Sequence, residues 1–146
     1  MANASTHIFR VSLKPRLYRE IEIDSGKSLY DLAEAIVRAF DFDLDHAFGF
    51  YGRLTGNYIA FPVQYELFAD TEGGSSDARS VKRTKMAQAF PIVGKTMLFL
   101  FDYGDEWRFK AQLVGLGKKI PKARYPKVLA IVGKAPPQYP NMDGGE

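Results

Sequence analysis

The stretch Phe101-Asp102-Tyr103-Gly104-Asp105-Glu106-Trp107 constrains the fold more than any other part of the chain. Three carboxylates and a glycine interrupt two apolar runs, Thr96 to Phe101 and Trp107 to Val114, and the only tryptophan stands directly after the break. That pattern reads as a tight β-hairpin with an acidic tip. With Gly104 and Asp105 as the central turn residues, Tyr103 faces Glu106, Asp102 faces Trp107, Leu100 faces Phe109 and Leu98 faces Ala111. This register gathers Leu98, Leu100, Trp107, Phe109, Ala111 and Leu113 on one core face. Met97, Phe99 and Phe101 then lie opposite, under the stems of Arg108 and Lys110. A buried indole N–H needs an acceptor, and Asp102 is expected to supply it to Trp107.

His7 to Leu13 places Phe9, Val11 and Leu13 on one side at period two, as a half-buried strand does. Pro15-Arg16 turns the chain, and Leu17, Arg19, Ile21 and Ile23 then alternate with Tyr18, Glu20 and Glu22 in a second strand. Ser28 caps a helix over about residues 28–40, with Asp31 three positions on. Leu29, Leu32, Ala33, Ile36 and Phe40 share the face of that helix that docks on a sheet. Ala47 to Tyr51 and Asn57 to Phe61 read as strands, Lys85 to Phe90 as one helical turn, Gly115 to Lys119 as a flexible basic turn, and Val128 to Val132 as a last strand. The predicted class is α+β, a mainly antiparallel or mixed sheet with one principal helix packed on it and a β-grasp-like opening. Residues 1–146 read as a single domain, with a mobile loop at about 70–80 and an extended tail at about 134–146.

Composition narrows the function. The absence of cysteine excludes disulfides, thiolate metal sites and a cysteine nucleophile. No apolar run nears the roughly 20 residues of a membrane span. Met1 to Thr6 lacks the basic-then-apolar order of a signal peptide, so a cytoplasmic protein without membrane contact is expected. There is no Gly-x-x-x-x-Gly-Lys-Ser/Thr phosphate loop, and Gly49, Gly52 and Gly56 are spaced too loosely for a dinucleotide fingerprint. No cofactor is predicted.

The net charge of +3 is unevenly placed: residues 1–78 hold seven Lys/Arg against twelve Asp/Glu, whereas residues 107–142 hold eight Lys/Arg and no acid. The first expectation is therefore a non-catalytic binding domain with a basic and aromatic surface of Arg108, Lys110, Lys118, Lys119, Arg124, Tyr125 and Lys127. Its partner is single-stranded nucleic acid or another protein. The alternative, from a different class, is a divalent-metal-dependent hydrolase at the acidic tip, with Asp102, Asp105, Glu106 and His46 as ligands.

The motif from Phe101 to Trp107, followed by Arg108-Phe109, resembles the Y-D-F-G-D-x-W signature of the plasmid pRiA ORF-three-like family, carried here by Asp102, Tyr103, Gly104, Asp105 and Trp107. The opening strand pair, the Leu29 to Phe40 helix, His46 before an aromatic strand, Tyr125-Pro126 and Gly133-Lys134-Ala135-Pro136-Pro137 extend the resemblance over nearly the whole chain. It implies an uncharacterised, plasmid- or transposon-associated family to which a resolvase label has been attached. A recombinase needs an activated serine or tyrosine among arginines. Ser5, Ser12, Ser25 and Ser28 have no general base nearby in sequence, so no catalytic residue is assigned. The chain departs from the family's usual ending: Gln138-Tyr139-Pro140-Asn141-Met142 separate Pro137 from Asp143-Gly144-Gly145.

Overall fold

The structure, a computed structural model, describes residues 5–57, 61, 63–67 and 79–139. Period-two alternation makes a hairpin of β1 (Ser5–Lys14) and β2 (Leu17–Asp24), turned at Pro15-Arg16. Phe9, Val11, Ile21 and Ile23 are buried on one face, and Arg10, Glu20 and Glu22 stand on the other. The helix α1 (Leu29–Ala39) follows. The Ser28 hydroxyl accepts from the Asp31 N–H, and the Asp31 carboxylate accepts from the Ser28 N–H, which satisfies two of the donors a helix start leaves orphaned.

The chain continues through β3 (Phe48–Tyr51), β4 (Gln64–Glu66), β5 (Arg79–Ser80), the single turn α2 (Met86–Ala89), β6 (Thr96–Phe101), β7 (Trp107–Lys118) and β8 (Lys127–Val132). The eight strands among the described residues join one sheet in the order β5-β4-β3-β6-β7-β1-β2-β8, antiparallel except for the parallel β4–β5 pair. The architecture is thus mainly β rather than a balanced α+β: one mixed sheet with few helical residues. The opening hairpin-then-helix order is present, and β7 flanks β1 antiparallel on its other side. Of the segment expected as a loop at 70–80, residues 70–78 lie outside the described residues and Arg79–Ser80 form β5. Of the strand expected at 57–61, residues 58–60 lie outside them, as do residues 140–146 of the expected tail.

Leu29, Leu32, Ala33, Ile36 and Val37 of α1 share a core with Phe9, Val11, Ile21, Ile23, Phe99, Phe109 and Leu113 of the sheet. Full burial of each such large side chain contributes about 1.5–3 kcal/mol. Phe40 meets Phe109 with ring centroids 5.0 Å apart. Arg19, 4% exposed, ties the end of α1 to β8: its guanidinium donates to the Ala39, Val132 and Gly133 carbonyls at 3.0, 3.1 and 3.1 Å.

The register of the β6–β7 hairpin differs from the expected one by one residue. Phe101 pairs with Trp107, Phe99 with Phe109 and Met97 with Ala111, while Leu100 faces Arg108 and Leu98 faces Lys110. Side chains alternate across a strand, so a one-residue slip exchanges the two faces of β6. Met97, Phe99 and Phe101 therefore join the helix-side core, and Leu98 and Leu100 form a second cluster with Tyr51 and Phe61 on the opposite face. Of the stretch expected as a basic turn, Gly115 to Lys119, residues 115–118 instead extend β7 past a bulge beside Ile8 and Phe9. A side chain on Gly117 would meet Thr6 Oγ1 at 2.7 Å and Glu22 Oε2 at 3.0 Å, so the close approach to β1 requires glycine there.

Candidate functional site

The hairpin tip is a five-residue loop, 102–106, closed by its first residue. Asp102 adopts the left-handed conformation (φ 65°), one that Asp and Asn tolerate better than most residues. From there its Oδ1 accepts the N–H groups of Gly104 at 3.0 Å and Asp105 at 3.3 Å. Gly104 carries no positive φ, contrary to the two-residue turn expected from its presence. Since Asp102 is spent on the turn, the expected bond to the indole is absent. Trp107 packs inward with its ring edge-on to Phe42, centroids 4.9 Å apart. Its Nε1 is buried without a hydrogen-bond partner among the described residues.

Tyr103 of the motif reaches the other face of the sheet. Its hydroxyl lies 2.8 Å from that of Tyr51, which in turn donates to Glu66 at 2.7 Å. A carboxylate only accepts, so the Tyr51 proton points to Glu66 and Tyr103 donates to Tyr51. Burial pushes the Tyr51 hydroxyl far above its ordinary pKa, with the Tyr103 and Glu66 bonds adding to it. Both hydroxyls lie within 2.9 Å of where a side chain on Gly49 would sit.

On the helix side the tip meets the acidic connector that follows α1. Asp102 Oδ2 lies 3.5 Å from His46 Nε2, and Asp45 Oδ1 lies 3.7 Å from the same atom. His46 Nε2 is 2.6 Å from the Tyr139 hydroxyl, which donates to Asp45 Oδ2 at 2.7 Å. Because that one phenolic proton is directed at the carboxylate, His46 presents an N–H to the Tyr139 oxygen. The bond holds the Asp45 carboxyl below its ordinary value, and Tyr139 is pushed up to about 12. Next to it Gln138, 8% exposed, accepts from the Asp43 N–H at 2.7 Å and donates to the Asp43 carbonyl and Asp45 Oδ1 at 3.1 and 3.0 Å. Residues 138–139 are thus strapped to the connector.

Among the ligands expected for a divalent cation, only Asp102 and His46 meet. Glu106 is taken by Arg108, at 2.9 Å, and Asp105 is exposed at the loop apex. No group of three or more His, Asp or Glu able to hold a metal ion occurs among the described residues.

The seven residues of the expected basic surface fall into separate places. Arg108 and Lys110 stand on the face of the sheet away from α1, where Lys110 neighbours Ser12 and Arg10 neighbours Gln112. Lys118, beyond the bulge, pairs with Ser5 and belongs to the helix side. Lys119 donates to Asp24 at 2.7 Å and thereby lowers the pKa of that carboxyl. Arg124, Tyr125 and Lys127 lie at the far end, with the Lys127 ammonium 5.4 Å from the Tyr125 ring centroid. Tyr125 lines a cleft of about 480 Å³ between α1 and β8 that also contains Asp24, Asp31 and Glu34.

What sequence reasoning missed is that β1 contributes to the Arg108–Lys110 face. A hollow of about 380 Å³ is lined there by Arg10, Ser12, Lys14, Lys110 and Gln112, and one of about 170 Å³ by Leu54, Leu98, Arg108 and Lys110. They share Ser12, Leu13 and Lys110, and no carboxylate among the described residues lines either. Arg10 and Arg108 keep partners in Glu20 and Glu106, whereas Lys14 and Lys110 make no ion pair among the described residues.

Among described residues no helix is long and apolar enough to cross a membrane. A crystal structure of a protein of unknown function from Methanosarcina mazei Go1 matches the fold with a TM-score of 0.74 and 19% identity, covering 94% of this chain and 74% of that one. No curated protein matches the sequence. The family model of the plasmid pRiA4b ORF-3-like proteins matches residues 6–140, and the chain belongs to that family.

Proposed function

We propose that the protein is a non-catalytic binding domain that takes single-stranded nucleic acid on the open face of β7, β1 and β2. The observation that carries this reading is the pair of hollows that share Ser12, Leu13 and Lys110 and are lined by Arg10, Lys14, Arg108 and Lys110, with no carboxylate among the described residues of their lining. Glu20 and Glu106 pair with Arg10 and Arg108 at their border, and the ammonium groups of Lys14 and Lys110, unpaired among the described residues, leave an excess of positive charge that favours a polyanion. A sheet face that carries no helix among the described residues suits an extended strand better than a duplex, whose grooves admit a protruding helix or ribbon. A cytoplasmic location and a place beside mobile elements, in keeping with the plasmid in the family's description, belong to the same reading. The divalent-metal hydrolase is the weaker alternative, since Glu106 is paired with Arg108 and, of the other expected ligands, His46 alone approaches Asp102.

Fluorescence anisotropy with a labelled mixed-sequence oligonucleotide over a salt series tests the proposal. Affinity is expected to fall steeply with salt, and each of Lys14→Ala and Lys110→Ala to reduce the log–log slope by about 1. Failure to bind at low salt, or an unaltered slope in both variants, overturns it.

A further inference from the structure

Arg10 lines the larger of the two hollows, and its guanidinium has two partners. Nε and Nη2 both donate to Glu20 Oε2, at 2.9 and 2.6 Å, and Cζ lies 4.4 Å from the centroid of the Tyr18 ring. Arg10 and Glu20 are cross-strand partners, and Tyr18 stands two residues before Glu20 on the same face. The carboxylate sets the direction of the fork, and the Tyr18 ring lies within cation–π distance of it. The side chain is still 44% exposed, so solvent reaches it despite both contacts.

A supported guanidinium plane is a platform on which a nucleobase stacks, in the same manner as on an aromatic ring. The groups around it suit the rest of a nucleotide. Lys14 and Lys110 bring ammonium charges for phosphate, and Gln112, the partner of Arg10 on β7, brings an amide with both donor and acceptor. At about 380 Å³ the hollow falls within the range of about 300–1,000 Å³ usual for small-molecule sites.

We propose that Arg10, supported by Tyr18 and Glu20, is the stacking platform for one base of the bound strand, with Lys14 and Lys110 taking the flanking phosphates and Gln112 facing the base edge. This rests on the nucleic-acid reading above and adds that bases, as well as charge, are recognised.

The test compares a thymidine oligomer with an abasic oligomer of equal length, which carries the same phosphates and no bases. The wild-type protein is expected to bind the base-bearing strand about tenfold more tightly. Arg10→Lys, which keeps the charge and loses the plane, is expected to bring the ratio of the two affinities close to one. Tyr18→Leu, which removes the support, is expected to lower the same ratio. Equal affinity of the wild-type protein for both oligomers, or an unchanged ratio in both variants, overturns the platform and leaves the charge-based reading standing. Binding to neither oligomer at low salt overturns both, and so does an acidic peptide that binds as tightly as the base-bearing strand.

Discussion

Phe101 and Trp107 face each other across β6 and β7, and the carboxylate of Asp102 closes the loop between them by accepting the Gly104 and Asp105 N–H groups. The loop therefore depends on an acceptor at position 102 and on a residue at ease with a positive φ. Asp102→Ala is expected to lower stability by about 1–3 kcal/mol, since it removes two turn hydrogen bonds of about 0.5–1.5 kcal/mol each and puts alanine at a positive φ. Asp102→Asn keeps the side-chain oxygen and tolerates the left-handed conformation, so it is expected to retain most of that stability. Urea denaturation of the two variants beside the wild-type protein checks the ordering. If Asn costs as much as Ala, the turn bonds are not the cause.

His7 ties stability to mild acid. It lies buried against β2, with Nδ1 2.7 Å from Ser25 Oγ, and burial pulls its pKa below the ordinary 6.5 despite a bond to the Phe90 backbone. A histidine whose pKa is depressed by folding binds fewer protons in the native than in the unfolded chain. Its contribution is complete above pH 6.5 and is lost as pH falls from 6.5 toward the lower native pKa. The urea midpoint is thus expected to decline between about pH 7.5 and about pH 5, and His7→Gln to flatten the decline. An identical pH profile in the variant counts against His7 as the titrating group.

The strap at residues 138–139 has separable parts. Gln138→Ala removes the acceptor of the Asp43 N–H, so that amide is expected to exchange with solvent markedly faster. Tyr139→Phe removes the hydroxyl that holds the Asp45 carboxyl low, and the Asp45 titration is expected to move up toward 3.8. Since a depressed carboxylate stabilises the fold above its unfolded pKa and loses that effect as pH falls through the native value, Tyr139→Phe should also be less sensitive to strong acid. Carbon-detected NMR titration reads the Asp45 shift directly. An unmoved Asp45 would show that the contact does not persist in solution.

Much of the scaffold was legible because it rests on short-range pattern. The alternation of Phe9, Val11, Ile21 and Ile23 marks the first hairpin, and Ser28 with Asp31 marks the start of α1 within one residue. β6 offered no such guide. Met97, Leu98, Phe99, Leu100 and Phe101 are all no more than 1% exposed, so both faces of the strand are apolar and no period distinguishes one from the other. Only the turn decides the register there, and the visible glycine pointed to the wrong turn residue because Asp102 supplies both the left-handed backbone and the bonds that close the loop.

The candidate surface shows the same division. Charge counted along the chain drew attention to the basic C-terminal segment, where Arg108 and Lys110 stand, and away from Arg10 and Lys14 in an acidic-leaning half. Alternation alone establishes that Arg10 lies opposite Phe9 and Val11, since neighbouring side chains in a pleated strand point to opposite faces, whereas an irregularity between Ser12 and Lys14 interrupts that alternation and brings Leu13 and Lys14 to the same hollow. Which strand lies beside β1 is a long-range choice, made where α1 and the apolar faces of β1, β2, β6 and β7 bury one another at once. That packing inserts β1 between β7 and β2, bringing Lys110 beside Ser12 and Gln112 beside Arg10, and no local pattern in the sequence encodes that adjacency.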